Sequence, residues 1–167
     1  TTDSSGETGI TIFDLNGDGN NEIIYRDETD FRIFDASTGS PSILFRTPCT
    51  SGTGQEMPIL GDIDNSGQAK ICVICGNSRD DNVGKLTVFG SPDSLPPWAP
   101  ARGIWNQYAY NPLFINDDLT VPQYPKNQAT YQNGKYNNFM QQESYVDSNG
   151  MVKKAAASLR GKISCIN

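Results

Sequence analysis

The chain has 167 residues, a formal net charge of −6, a pI near 4.5 and no histidine. The acidity argues against nucleic acid or an anionic membrane as the main partner. Without histidine, neither Ser-His-Asp nor Cys-His catalysis nor a His-containing zinc site can be built. The length suits one ordinary domain, and no apolar run is long enough to insert into and cross a bilayer.

The opening TTDSSGETG has no signal-peptide pattern and reads as the interior of a longer chain or the start of a mature product. Seven short runs then predict strands: ITIF (10–13), EIIYR (22–26), FRIFD (31–35), SILFR (42–46), MPILG (57–61), KICVIC (70–75) and KLTVFG (85–90). Each is β-branched or aromatic and bounded by Gly, Asn, Asp, Ser or Pro.

The stretch DLNGDGNNEI (14–23), between the first two runs, is crowded with oxygen donors. Asp14, Asn16 and Asp18 alternate, so a curled loop can turn all three toward one point. Gly17 and Gly19 permit the tight or left-handed backbone this needs. The Asn20 carbonyl and the Glu22 carboxylate complete a five-ligand set for calcium, a hard cation that takes oxygen ligands. The opening D-x-N-x-D-G also begins an EF-hand loop, but an acidic residue would be needed where Tyr25 stands, and both flanks read as strands. A plain polar turn is the competing reading.

The pattern repeats. PILGDIDNSGQAKIC aligns with ITIFDLNGDGNNEII, setting Asp62 on Asp14, Asp64 on Asn16, Ser66 on Asp18, Gly67 on Gly19 and Lys70 on Glu22. The degenerate second ligand set is Asp62, Asp64, Ser66 and Gln68. The Lys70 ammonium can itself neutralise Asp62 and Asp64. The unit is strand, oxygen-rich loop, strand, turn, strand, and a period of about 40–50 residues with several strands per unit fits β-propeller blades.

The four cysteines are Cys49, Cys72, Cys75 and Cys165. CVIC (72–75) lies in a strand, where Cys72 and Cys75 point to opposite faces, so joint chelation of zinc is disfavoured. An even count in an Asn/Gly-rich chain points to an oxidising compartment. From Ser91 onward proline, aromatics, Asn and Gln dominate. This segment predicts irregular structure packed on the repeats, with two or three further strands. MVKKAAASLRGK (151–162) has helix-like composition, or is a linker.

The two loop-strand units (9–90) resemble FG-GAP or VCBS-type repeats, the calcium-loop blades of integrin-like propellers. A narrower resemblance, carried by Trp98, Pro100, Arg102, Trp105, Asn106, Gln107, Asn116, Asp117, Asp118 and Pro122, is to large secreted surface proteins of Bacteroidota of gliding-motility or adhesin type. The resemblance implies an all-β fold of propeller-like blades. It divides the chain into 1–90 (two blade repeats), 91–146 (an irregular segment packed on them) and 147–167 (a linker or the start of a further β-domain). Propellers of this kind have six to eight blades, so two blades imply a larger propeller or assembly with copies of this chain.

The resemblance also supports a Cys49–Cys75 disulfide. Cys49 precedes the second repeat's first strand and Cys75 ends its second, and these ends meet in antiparallel neighbours. Cys72 is then a buried thiol or the partner of Cys165. The tripeptide DSL (93–95) resembles the Bacteroidota O-glycosylation signal, which makes Ser94 a candidate glycan site.

The expected function is a non-catalytic, calcium-binding structural or interaction module of a secreted cell-surface protein, an adhesin or extracellular filament, with polysaccharide as a candidate partner. The alternative is a calcium-dependent lyase or glycosidase. A glycosidase needs two carboxylates across a cleft, with Asp117 and Asp118, or Glu56 and Glu143, as candidates. Arg102 among Trp98, Trp105, Tyr108 and Tyr110 can form either a sugar-stacking platform or a cation–π cluster in the core.

Overall fold

The computed structural model describes residues 1–54, 56–76, 84–134 and 140–144. The segment 147–167, with its helix-like stretch and Cys165, lies outside them. The fold is all-β, built from two antiparallel sheets. The first contains β1 (Thr11–Phe13), β2 (Glu22–Arg26), β3 (Asp30–Asp35) and β4 (Ser42–Pro48), in that order across the sheet. The second contains β5 (Ile59–Gly61), β6 (Lys70–Gly76) and β7 (Gly84–Phe89). All seven predicted runs become strands.

Period-2 alternation explains the inward faces. In β2, Glu22, Ile24 and Arg26 are buried while Ile23 and Tyr25 are half-buried. Phe13, Ile24, Phe31 and Ile33 of the first sheet share one core with Leu60, Ile71 and Val73 of the second. The sheets meet where Phe31 stacks on Phe89 at 4.6 Å between ring centroids, with Phe45 edge-on to both. Such aromatic pairs add about 0.5–1.5 kcal/mol beyond the area they bury. A register shift in β4 pairs Ile33 with Phe45 and Phe34 with Ile43, leaving Leu44 as the extra residue of a bulge.

Buried charge ties the sheets together. The Arg26 guanidinium donates to the Ile74 carbonyl of β6 and to Ser51 Oγ, and it lies 3.5 Å from Glu56. Asp27 is fully buried at the β2–β3 turn, where its Oδ1 accepts from the Thr29 and Asp30 amides and its Oδ2 pairs with Arg32. Cys49 and Cys75 are joined by a disulfide between the end of β4 and β6.

The described part of the 91–146 segment corrects one expectation. It forms no further strand, only isolated bridges and two short 3-10 turns, Pro112–Phe114 and Tyr131–Gly134. Prolines lack the N–H a ladder needs. Short polar side chains capture local amides instead: Asn111 takes that of Leu113, Asp118 that of Thr120, and Asn127 that of Ala129. The segment still straps the sheets. Ile12 bridges Gln141, and the Gln142 amide donates to the Leu60 and Ile104 carbonyls while accepting from the Tyr110 hydroxyl.

Candidate functional site

The β1–β2 and β5–β6 loops share three hydrogen bonds, and in the first the Gly17 and Asp18 amides also donate to Asp14 Oδ1. In the first, the Gly19 amide donates to Asp14 Oδ2, the Asp18 amide to Asn16 Oδ1 and the Asn20 amide to Asp18 Oδ1, at 2.7–2.9 Å. In the second, the Gly67 amide donates to Asp62 Oδ2, the Ser66 amide to Asp64 Oδ1 and the Gln68 amide to Ser66 Oγ, at 3.1–3.4 Å. Both loops need two left-handed residues. Gly17 and Gly19 supply them in the first, with φ of 76° and 93°. Asn65 and Gly67 supply them in the second, with φ of 56° and 82°. Asparagine is among the few side chains that tolerate this region.

The loops differ in charge. Glu22 is buried under the first, and its Oε2 accepts from the Leu15 amide at 2.7 Å. Burial pushes its pKa up, and the Asp14, Asp18 and Asp35 charges push the same way. In the second loop Lys70 Nζ lies 3.6 Å from Asp64 and 3.1 Å from Ser66 Oγ. Burial and the Asp64 carboxylate raise the Asp62 pKa. Burial works against the Asp64 charge too, but hydrogen bonds from Ser66 and the Lys70 ammonium lower its pKa overall. Asp62 Oδ1 is buried with no donor facing it.

Among the described residues, no three Asp, Glu or Cys side chains close on one point. Glu22 turns beneath the loop to Leu15 rather than joining Asp14 and Asp18 as a finished cage. The donor set nevertheless fits a hard cation in kind. It is all oxygen and carries excess negative charge around a carboxylate whose ionisation the fold disfavours.

The segment after β7 joins the two loops. The Ala99 amide donates to the Leu15 carbonyl at 2.7 Å, and the Ala99 carbonyl accepts from the Ala69 amide at 3.0 Å. Trp98 is half-buried against the core beside Leu15, Asn16 and Glu22. Trp98, Arg102, Trp105 and Tyr108 do not assemble as one exposed platform. Arg102 is 3% exposed and donates to the Pro112 and Ile115 carbonyls and to Asp117. A buried guanidinium must find such acceptors, so its charge is held by oxygens and not by a ring face. Trp105 instead stacks on Tyr110 at 4.6 Å, and Tyr108 is about half exposed.

The carboxylates considered for glycosidase chemistry have structural partners. Glu56 pairs with Arg26, Asp117 with Arg102, and Asp118 caps Thr120, while Glu143 accepts from the Tyr131 hydroxyl at 2.7 Å. Ser94 is exposed in a turn closed by the Leu95 amide on the Pro92 carbonyl. Sequence reasoning missed the Arg26, Asp27, Asp30 and Arg32 network. Read locally, RDETDFR is a charged turn between two strands, and nothing in its spacing marks it as interior.

The chain matches no protein-family model and no curated protein sequence. Among solved structures it is similar to the V. cholerae biofilm matrix protein Bap1, with a TM-score of 0.69 and 27% sequence identity. The match covers 81% of this chain and spans 22% of the length of that one, so the likeness is to a part of a longer protein.

Proposed function

We propose that this chain is a non-catalytic, calcium-binding structural module of a secreted matrix or cell-surface protein. The observation that carries the reading is the likeness, over 81% of the chain, to part of a biofilm matrix protein. The Cys49–Cys75 disulfide supports an oxidising, extracellular setting. The structural engagement of Glu56, Asp117, Asp118 and Glu143 supports a role other than glycoside hydrolysis. The two sheets are read as adjacent blades of a larger propeller, because the repeat generates both. Each also leaves apolar side chains outside: Ile43 and Leu44 on β4, and Leu86 and Val88 on β7. Further blades, or copies of this chain, would cover them. Ser94, on an exposed turn, is proposed to carry an O-linked glycan.

Calcium would be held at the first loop by Asp14, Asn16, Asp18 and the Asn20 carbonyl, with Glu22 as the innermost acid. The ion would offset the burial and, beside it, the carboxylate repulsion that together raise the Glu22 pKa. Thermal unfolding with and without calcium tests this. The melting temperature of the wild-type chain should rise with calcium, and that rise should vanish in Asp18→Ala. An undiminished rise sinks the assignment. Fractionation of the native producer tests the location: the reading requires the protein in the extracellular matrix with Cys49 and Cys75 oxidised, and a reduced, cytosolic pool overturns it.

A further inference from the structure

A cavity of about 320 Å³ beside the first loop is apolar, lined by Leu15, Phe45, Phe89 and Trp98 among others. A second cavity, of about 290 Å³, has a different chemistry. Its walls include Asn116, Asp117, Tyr124, Lys126, Tyr131 and Glu143.

Tyr124 is 84% exposed and offers a solvated ring. Tyr131 is fixed in two ways: its hydroxyl donates to Glu143 Oε1 at 2.7 Å, and Lys126 Nζ sits 4.4 Å from its ring centroid. Asp117 is about half exposed and is held by Arg102 at 2.7 Å. Arg102 is in turn anchored on the Pro112 and Ile115 carbonyls. Two cations and two carboxylates therefore line one cleft, and their formal charges cancel.

A hexose ring has an apolar face of C–H groups and a rim of hydroxyls, each both donor and acceptor. It is bound by an aromatic face together with carboxylates, amides and ammonium groups placed around its edge. Charge-assisted hydrogen bonds from such groups are the strong ones. Groups already held in position lose little freedom on binding. The cancelled charge favours a neutral sugar over a uronate.

We propose that this cleft binds a neutral hexose unit of an extracellular polysaccharide, with Tyr124 as the stacking face and Asp117, Glu143 and Lys126 as its hydrogen-bonding rim. The proposal rests on the reading of the chain as an extracellular matrix module.

The test is titration of the purified full chain, by calorimetry and saturation-transfer NMR, with cellotetraose, maltotetraose, mannotetraose and galactotetraose. Tetragalacturonate serves as the charged comparison. At least one neutral oligomer should bind with a Kd of about 1 mM or tighter. Tyr124→Ala should weaken it by about tenfold, the mark of one lost anchor. Glu143→Gln, which keeps an acceptor for Tyr131, should weaken it while leaving the melting temperature unchanged. Failure of every neutral oligomer to bind, unchanged affinity in both variants, or tighter binding of tetragalacturonate each overturns the proposal. If the oligomers fail while the native protein still partitions to the matrix with its disulfide oxidised, the sugar site falls and the matrix reading stands.

Discussion

The two repeat units solve the same folding problem with different chemistry at matching positions. Both form the oxygen-rich loop with three hydrogen bonds in common, although Asn16 and Asp18 of the first are replaced by Asp64 and Ser66 in the second. Where the first unit places Glu22 beneath its loop, the second places Lys70. Where the first has Asp27, in the turn after β2, the second has Cys75, tied covalently to Cys49. Backbone architecture is thus shared, while charge neutralisation and hairpin closure vary independently. At this position the first unit holds a buried ion pair, and the second a covalent bond to the end of β4 in the first sheet.

Removing each closure tests this division. Asp27→Ala should have the largest effect, because it leaves Arg32 short of a buried counter-charge and strips the turn amides of their acceptor. Breaking a buried pair in this way costs about 3–5 kcal/mol, measurable by urea denaturation. A loss within the range of a surface substitution would refute the ionic closure. Replacing Cys49 and Cys75 together by serine should cost about 3–4 kcal/mol by the loop-entropy relation for a 26-residue separation. The same chain under reducing conditions should match that value, and a serine variant as stable as the oxidised protein would show that the bridge contributes nothing.

The strands and both loops were legible in the sequence, because alternating apolar residues and the D-x-N-x-D-G spacing each express one local rule. The ionic closure was not. Arg26, Asp27, Asp30 and Arg32 look like a solvated charged turn, and only the packing of β6 and the 49–51 segment over them makes them interior. Among the described residues, the extra strands expected after Ser91 do not form, because turn-forming side chains capture the amides that a ladder would have used. The polar cleft was illegible for another reason. Asp117, Tyr124, Tyr131 and Glu143 follow no spacing rule, and only the chain's path over the sheets gathers them.

Acid should act on the two kinds of carboxylate in opposite directions. Hydrogen bonds from Arg46 and Thr29, against the effect of burial, hold the Asp30 pKa below its ordinary value near 3.8. The folded state therefore binds fewer protons than the unfolded chain near that pH. Asp30 contributes stability above the ordinary value that is lost as pH falls through the lowered one. Glu22 and Asp62 have raised values, so they favour the folded state as pH falls through those values. Asp30→Asn should cost about 2 kcal/mol at neutral pH, the worth of a hydrogen bond to a charged group, and should flatten the acid limb below about pH 4. An unchanged limb would place acid sensitivity elsewhere.

The smallest effect is the sharpest comparison of the loops. If position 70 alone separates a calcium loop from a salt-bridged one, Lys70→Glu should convert the second loop into the first. The Asp18→Ala background removes the first loop's response, so any remaining calcium effect belongs to the second. In that background, Lys70→Glu should lower stability in chelator, because Asp64 loses the ammonium 3.6 Å away while Asp62 already holds a buried, donorless oxygen. Calcium should then restore it by about 1.4 kcal/mol at tenfold excess over the dissociation constant, or roughly 3–5 °C in a chain of this size. The Asp18→Ala parent should not respond. A response in the parent would mean that Lys70 does not exclude the ion. No response in the double variant would mean that Ser66, standing where Asp18 stands in the first loop, is the deficient ligand. The two loops would then differ by a missing oxygen and not by a substituted charge.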